Sequence, residues 1–236
     1  MHNYGLAIVF LMFLFQPAGA DTVTIDASRD TTLIEDTAGA FSNGSGPYFF
    51  VGRTNQAVNG IRRGLLFFDV AAVLPPEAII ERVSLTLYQY QGNPGVSTIS
   101  LHRVQDNWGE GASVSSGGQG APSQPGDATW THTFYPSDFW VHEGGHFVER
   151  VSAEQNVDGT GYFTWENADH LVQDVRLWLF APDKNFGWIL IGDEGMPQTV
   201  KRFASRENPD VRLRPMLAVT YRLPGKNEGD RPALSD

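Results

Sequence analysis

Short runs in which apolar and polar residues alternate dominate the pattern of the chain. The clearest is VSLTLY at 83–88, and strict alternation of this kind is typical of a β-strand with one buried face. Similar runs, separated by clusters of Gly, Pro, Asn and Asp, occur at 22–25, 48–51, 64–70, 98–104, 162–165, 186–191 and 216–221. Many short strands with turn residues between them predict an all-β fold, which we interpret as a two-sheet antiparallel sandwich.

The run at 64–70 is apolar on both of its faces. Leu65 and Phe67 alternate with Leu66 and Phe68, and a strand of this composition is normally covered on both sides. We therefore expect a central strand of the sandwich, overlaid by loops or by a helix, in which both phenylalanines are core residues.

A single stretch has helical periodicity. Leu171, Val175 and Trp178 follow an i, i+4, i+7 spacing, which places them on one face of a helix. Asn167 is the candidate N-cap, and Pro182 should end the helix. One helix among many strands does not supply the alternating units of a parallel sheet, so α/β folds are disfavoured.

The first twenty residues have the features of a secretory signal peptide. An uninterrupted apolar run at 6–15 is followed by small residues at the two positions that determine cleavage, 18 and 20. The run is shorter than the roughly 20 apolar residues of a membrane anchor. We therefore expect a signal peptide at 1–20 and a secreted, extracellular protein, with the periplasm as the alternative location.

The composition after residue 20 shows no second distinct region, so we expect a single domain at 21–222. The polar, Pro-containing residues at 223–236 should form a disordered tail. The full sequence has 17 Lys and Arg against 27 Asp and Glu, a net charge of −10. This charge disfavours binding to nucleic acid or to an anionic membrane through the global field. The absence of Cys excludes disulfides, thiolate zinc sites and cysteine nucleophiles.

The sequence HEGGH at 142–146 matches the H-E-x-x-H motif of zinc metalloproteases. That chemistry needs both histidines on one helix face, whereas Gly144 and Gly145 each cost about 1 kcal/mol inside a helix. We expect a solvated loop and interpret the match as coincidental, with a non-helical metal site left open. Nucleophile-elbow, Walker and dinucleotide motifs are also missing, so we predict a non-catalytic protein.

Three further features are expected to lie in loops: a Gly-rich segment, two pairs of adjacent acids and a glycosylation sequon. The segment 111–126 is rich in Gly, Ser and Pro and should be a long excursion from one sheet edge. Adjacent acids at 35–36 and 193–194 are either solvated turn residues or oxygen ligands of a structural calcium, the one cofactor that we consider. The glycosylation sequon at Asn43 should be exposed.

Blocks in a fixed order along the chain resemble one protein family. RGLLFFD at 63–69 and VSLTL at 83–87 are followed by WGEG at 108–111, GDATW at 126–130, KRFASRE at 201–207 and RPML at 214–217. Over roughly 21–221, the chain resembles the secreted bacterial DNRLRE domain proteins, which are related to carbohydrate-binding module family 96. The resemblance implies a jelly-roll-like β-sandwich, export, and frequent attachment to polysaccharide-active or cell-surface proteins.

Three tryptophans are candidate stacking surfaces for sugar rings. Trp108, Trp130 and Trp140 lie beside Gly, Asp and Ser rather than in apolar runs, so we expect exposed indole faces. A structural role for these side chains is the alternative.

Cations in the family-like blocks are the candidate partners of an acidic polymer, which the related module family suggests for some members. They are Arg63, Lys201, Arg202 and Arg206. Arginine suits carboxylates because it binds them through two parallel hydrogen bonds. In the alternative interpretation, Arg63 covers the core with its stem and Arg206 pairs with Glu207.

Three functions remain open. The first is a non-catalytic module that binds a polysaccharide or a cell-surface glycan, which the family resemblance favours. The second is a structural or adhesive extracellular protein, and the third is a secreted polysaccharide-active enzyme, whose two carboxylates sequence alone cannot place.

We predict that the exported protein begins at Asp21, because small residues at 18 and 20 define the cleavage site. Mass spectrometry of the external fraction measures its N-terminus. Secreted protein that retains Met1 would contradict the prediction.

Overall fold

The computed structural model describes residues 20–90 and 92–224. The predicted signal peptide, apart from its last residue, and the predicted tail from 225 onward lie outside the described residues. No helix in the described ranges is long and apolar enough to cross a membrane.

The described residues form strands that we number in chain order. They are β1 Asp21–Asp26, β2 Arg29–Ile34, β3 Phe41–Ser42, β4 Tyr48–Arg53, β5 Ile61–Phe67, β6 Ile79–Gln89, β7 Ser97–Val104, β8 Ala121–Pro122, β9 His132–Phe134, β10 Asp138–Phe139, β11 Phe147–Val157, β12 Gly161–Trp165, β13 Trp188–Ile191, β14 Lys201–Ala204 and β15 Met216–Arg222. One α-helix, α1 Asp169–Phe180, and two short 3-10 helices, Pro182–Lys184 and Val211–Leu213, complete the described elements.

The main strands form two antiparallel layers. In the β6 sheet, the order is β1-β15-β6-β12, and β14 lies beside the end of β6. In the β5 sheet, the order is β2-β5-β13-β7-β11. Strand β4 pairs with β14 and then with β5, and so joins the two layers. The predicted all-β antiparallel sandwich with one helix is confirmed.

The main core lies between the inner faces of these sheets. Phe49 of β4 stacks on Phe203 of β14, with ring centroids 5.4 Å apart. Trp165 of β12 donates its indole N–H to the carbonyl of Ile99 in β7, at 2.8 Å. This buried hydrogen bond connects the layers directly, because the two strands belong to different sheets.

Helix α1 covers one end of the main core. Leu171, Val175 and Trp178 are fully buried, as their spacing predicts, and the Trp178 ring lies 4.3 Å from that of Trp188. The helix ends at Phe180, before the proline. The expected cap at Asn167 is wrong: Ala168 is the N-cap, without a side-chain hydrogen bond, and Asn167 has φ 57° in the turn before it.

Strand β5 is buried on both faces, which confirms the prediction. Leu66 packs in the main core, whereas Leu65 belongs to a second apolar cluster on the outer face of the β5 sheet. The outer cluster is covered by residues 105–146, which we call the cover segment. Its two ends meet where the Gln105 N–H donates to the His146 carbonyl, at 2.9 Å.

The Gly-rich part of the cover segment is held by a buried carboxylate. Asp127 Oδ1 accepts the N–H groups of Ala112 and Ser113, at 2.9 and 3.3 Å, and Oδ2 accepts that of Gln124, at 2.7 Å. These bonds fix a sequence with few apolar side chains of its own. The predicted excursion is therefore a packed layer over the sheet.

We predict that Gly64→Ala lowers the free energy of unfolding by about 1–3 kcal/mol, the usual cost of overpacking. A Cβ at this position would lie 2.7 Å from Cδ2 of Phe49, in the main core. Urea unfolding measures the effect. The control is Gly117→Ala, where a Cβ would meet no atom within 4 Å; equal losses in both variants would contradict the packing explanation.

Candidate functional site

The three candidate tryptophans are buried, so the expectation of exposed indole faces is wrong. Trp108, Trp130 and Trp140 are 0%, 7% and 6% exposed. All three belong to the outer apolar cluster, where they pack with Leu65 and Ile189 of the β5 sheet. Their neighbours in sequence are polar and small, but their neighbours in space are apolar.

The hydrogen bonds of two of these side chains fit the structural alternative. The Trp108 indole N–H donates to the Phe186 carbonyl at 2.8 Å, and that of Trp140 donates to the Thr129 carbonyl at 2.9 Å. A buried indole N–H normally has such a partner. These rings therefore attach the cover segment to the β5 sheet.

The side chain of Arg63 also contacts the cover segment. Its guanidinium lies 4.9 Å from the Trp130 ring centroid and binds both carboxylate oxygens of Glu194, at 2.7 and 2.9 Å. It also donates to the Gly144 carbonyl at 2.8 Å. The alternative in which Arg63 covers the core fits this geometry.

Arg206 lies in a cluster of three carboxylates. It binds both oxygens of Glu110, at 2.7 and 2.9 Å, and one oxygen of Glu207, at 2.9 Å. Its backbone N–H donates to Oδ2 of Asp30, at 2.6 Å. The pair expected with Glu207 is present, and the larger cluster connects β2, the cover segment and the loop after β14.

The carboxyl group of Asp30 carries the largest electrostatic cost in this cluster. Its side chain is buried, and this burial, reinforced by the negative charge of Glu207, raises its pKa well above the usual value. The pKa of Glu207 is raised too, by burial and by Glu110. The cluster therefore favours retention of a proton.

Tyrosines form a continuous aromatic surface on the outer face of the β6 sheet. Tyr88 and Tyr90 point outward from β6 with ring centroids 5.1 Å apart. Tyr162 of β12 lies opposite Tyr88 in register, at 4.9 Å, and Tyr48 of β4 lies 4.9 Å from Tyr90. We call these four side chains the tyrosine face.

Arg202 completes the tyrosine face. Its guanidinium lies 4.6 Å from the Tyr48 ring centroid and 5.6 Å from that of Tyr90. Its Nε is buried and has no hydrogen-bond partner among the described residues. Arg63 and Arg206 bind carboxylates, whereas among the described residues no carboxylate contacts the Arg202 guanidinium.

A groove of about 340 Å³ adjoins Arg202. Its lining is Phe50, Gly92, Asn93, Ser116, Gly117, Gly118, Val200, Lys201 and Arg202, and includes no carboxylate. Lys201 itself is buried, and its Nζ donates to the carbonyls of Asn93 and Gly95, at 2.7 and 2.5 Å. Burial lowers the pKa of Lys201. Lys201 therefore lines the groove mainly as a structural residue that holds the turn at 93–95.

The HEGGH sequence is a loop, as predicted. Gly144 and Gly145 have φ values of 82° and 103°, outside the helical range. His146 Nδ1 lies 3.0 Å from Asp106 Oδ2, beside the base of the cover segment. Across the described ranges, no group of three or more His, Asp or Glu side chains has an arrangement that could hold a metal ion.

The acids considered for calcium accept hydrogen bonds from other groups of the protein. Glu35 accepts the Ile61 N–H at 2.9 Å, and Asp36 accepts that of Ala40 at 2.7 Å. Asp193 accepts the Gly195 N–H at 2.9 Å. Asp36 and Asp193 are therefore turn residues, whereas Glu35 bonds to β5 and Glu194 binds Arg63.

The sequon is buried, so its expected exposure is wrong. Asn43 is 1% exposed, and its side-chain amide donates to the Tyr48 carbonyl at 2.8 Å. Its side-chain oxygen accepts the Ser115 N–H at 2.7 Å, which attaches this loop to the cover segment.

Of the candidate residues, Lys201 and Arg202 line the same groove. Sequence reasoning missed the tyrosines, although Tyr88 occupies an outward position in the clearest alternating run and Tyr90 follows it by two residues. In comparisons with known proteins, no family model and no curated protein matched the chain. The resemblance to DNRLRE domain proteins stays a prediction from the sequence.

We predict that the stability of the protein falls as pH rises above about 4, because the folded state holds a proton on Asp30 that the unfolded chain releases. Asp30→Asn should make this decline shallower, since an amide cannot ionise and still accepts the Arg206 N–H. The difference between the two proteins can grow by at most about 1.4 kcal/mol per pH unit.

Urea unfolding of both proteins at several pH values between about 4 and 8 measures this difference. Asp69→Asn, in an exposed turn, is the control for loss of one carboxylate. A parent protein that gains stability over this range relative to Asp30→Asn would contradict the assigned proton.

Proposed function

We propose that the protein is a non-catalytic module that binds a polysaccharide through the tyrosine face. The observation that carries the proposal is the combination of four adjacent tyrosines with an arginine whose Nε lacks a partner. Sugar rings have apolar C–H faces and hydroxyl rims, which match aromatic rings that carry their own hydroxyl groups. The family resemblance supports the same class of function.

The shape of the tyrosine face favours a polymer over a single sugar. Its side chains come from four strands, β12, β6, β14 and β4, which spans about 15 Å at the usual strand spacing. The rings meet edge to face, with interplanar angles of 71–83°. The surface is therefore ridged, and successive sugar units would contact both ring faces and ring edges.

Arg202 favours an acidic group on that polymer. A guanidinium binds a carboxylate or sulfate through parallel hydrogen bonds, and here neither the groove nor the tyrosine face includes a competing carboxylate. Such a local site is needed because the net charge of −10 repels anions at longer range.

Binding without cleavage is supported by the composition of this surface. Hydrolysis of a glycosidic bond usually requires two carboxyl groups placed across the bond. None of the residues of the tyrosine face or of the adjoining groove is Asp, Glu or His. The apolar run at 6–15 supports a location outside the cytoplasm.

We predict that Tyr88→Ala weakens binding to polysaccharide by about tenfold or more, the range of a central aromatic contact. Arg202→Gln should weaken binding to polygalacturonate and leave binding to neutral xylan nearly unchanged. Affinity electrophoresis and calorimetry with these polymers measure both effects, and circular dichroism checks folding.

Two variants serve as matched controls. Phe180→Ala removes an aromatic ring that is 89% exposed at the end of α1, and Arg82→Gln removes an exposed arginine from β6. If Tyr88→Ala and Arg202→Gln bind as the controls do, the tyrosine face is not the site. A parent protein that binds no polymer would favour the structural or adhesive alternative, and release of reducing ends would favour the enzyme.

A further inference from the structure

The tyrosine face is a row of rings that runs across the strands rather than along them. Tyr162 lies opposite Tyr88, and the pairing of β14 with both β6 and β4 places Tyr48 level with Tyr88 as well. Tyr90 follows two residues further along β6. A polymer that contacts all four rings therefore crosses the strands.

The groove beside Arg202 lies to one side of this row. The Tyr90 N–H donates to the Arg202 carbonyl, at 2.9 Å, so these two residues are level with each other. Val200 and the turn at 92–93 also line the groove, and they lie two to three residues beyond this level, about 7–10 Å along the strands. A polymer on the tyrosines therefore passes beside the groove, at Arg202.

The far wall of the groove is a fixed part of the cover segment. The buried Arg62 side chain donates from Nε to the Gly118 carbonyl, and Asn43 holds the Ser115 N–H. A Cβ at Gly118 would lie 3.4 Å from Cδ1 of Phe50, on the opposite wall. The absence of a side chain at Gly118 therefore keeps the groove open.

The lining of the groove matches an acidic sugar unit. Arg202 supplies a guanidinium, and the lining includes no carboxylate that would compete for it. Phe50 and Val200 are apolar, whereas Asn93 and Ser116 have side chains that can bond to hydroxyl groups. The volume of about 340 Å³ is at the lower end of the range of small-molecule sites, which suits one sugar unit better than several.

We propose that this groove receives a single uronic acid unit, attached as a branch to a neutral main chain that lies on the tyrosine face. The inference rests on the polysaccharide binding proposed above and names the class of polymer. The carboxylate of the branch binds Arg202, and its ring enters the groove between Phe50 and the loop at 116–118. A linear polymer on the same row of tyrosines leaves the groove empty.

The test compares three polymers that share one main chain. They are glucuronoxylan, xylan from which the branches have been removed, and glucuronoxylan whose carboxylates have been reduced to neutral hydroxymethyl groups. Calorimetry with the parent protein should give about tenfold tighter binding to glucuronoxylan than to debranched xylan. The carboxyl-reduced polymer should lie between them, because it keeps the shape of the branch and loses its charge.

Variants assign the preference to the groove. Gly118→Leu places a side chain against Phe50, so it should lower the affinity for glucuronoxylan to that for debranched xylan and leave the latter unchanged. Arg202→Gln should remove the difference between glucuronoxylan and its carboxyl-reduced form. Gly117→Ala is the control for loss of a loop glycine, because a Cβ there meets no atom within 4 Å. Circular dichroism checks folding, and the comparison of polymers on the parent protein needs no variant.

Two results would overturn the branch proposal alone. One is equal affinity of the parent protein for glucuronoxylan and debranched xylan, and the other is a folded Gly118→Leu variant that keeps the preference for glucuronoxylan. Binding of polygalacturonate without binding of any xylan would contradict the neutral main chain. A parent protein that binds none of these polymers would contradict the polysaccharide function as well, so the two failures are distinguishable.

Discussion

The arrangement of the molecule depends on the burial of β5 from both sides. Leu66 packs into the main core, and Leu65 on the opposite face is equally inaccessible to water. An uncovered sheet face of this kind would be a large exposed apolar patch, which soluble proteins avoid. The cover segment removes that patch, and Trp108, Trp130 and Trp140 supply most of the aromatic area with which it does so. Since each buried aromatic removes about 150–250 Å² from water, these rings stabilise the fold and are lost as binding surfaces.

The proposed binding must therefore use another surface, and the contacts of three arginines distinguish the candidate surfaces. Arg63 contacts the cover segment at the Gly144 carbonyl and the Trp130 ring, and Arg206 joins that segment to β2 through Glu110 and Asp30. Arg202 instead rests on tyrosine rings on the outer face of the β6 sheet, with its Nε unpaired. This sheet face carries alternating polar and aromatic side chains and needs no cover. The outer face of the β5 sheet is thus covered by the chain itself, whereas the tyrosine face on the other sheet is available for the binding that we propose.

Much of the fold could be predicted from period-two alternation, because that pattern reports which face of a strand is buried. The two faces of β5 and the apolar face of α1 followed from spacing alone. Strand β11 is not predicted by strict alternation, because register shifts on either side of Val151 interrupt its period-two pairing with β7. The burial of the three tryptophans could not be predicted, because polar sequence neighbours do not reveal which side chains approach after folding. The tyrosine face needs the strand order, since Tyr48 and Tyr162 meet Tyr88 and Tyr90 only through pairing of distant strands.

The most direct test of this division between the sheets is hydrogen exchange of the backbone amides with and without polygalacturonate. We expect the polymer to slow exchange in β6, β12 and β14 and in the adjoining turn at 92–95, because these segments carry the tyrosine face and its groove. Exchange around Trp108, Trp130 and Trp140 should be unchanged, since their amides lie within the closed cover. Slower amide exchange confined to the cover segment, with none in the β6 sheet, would contradict binding at the tyrosine face.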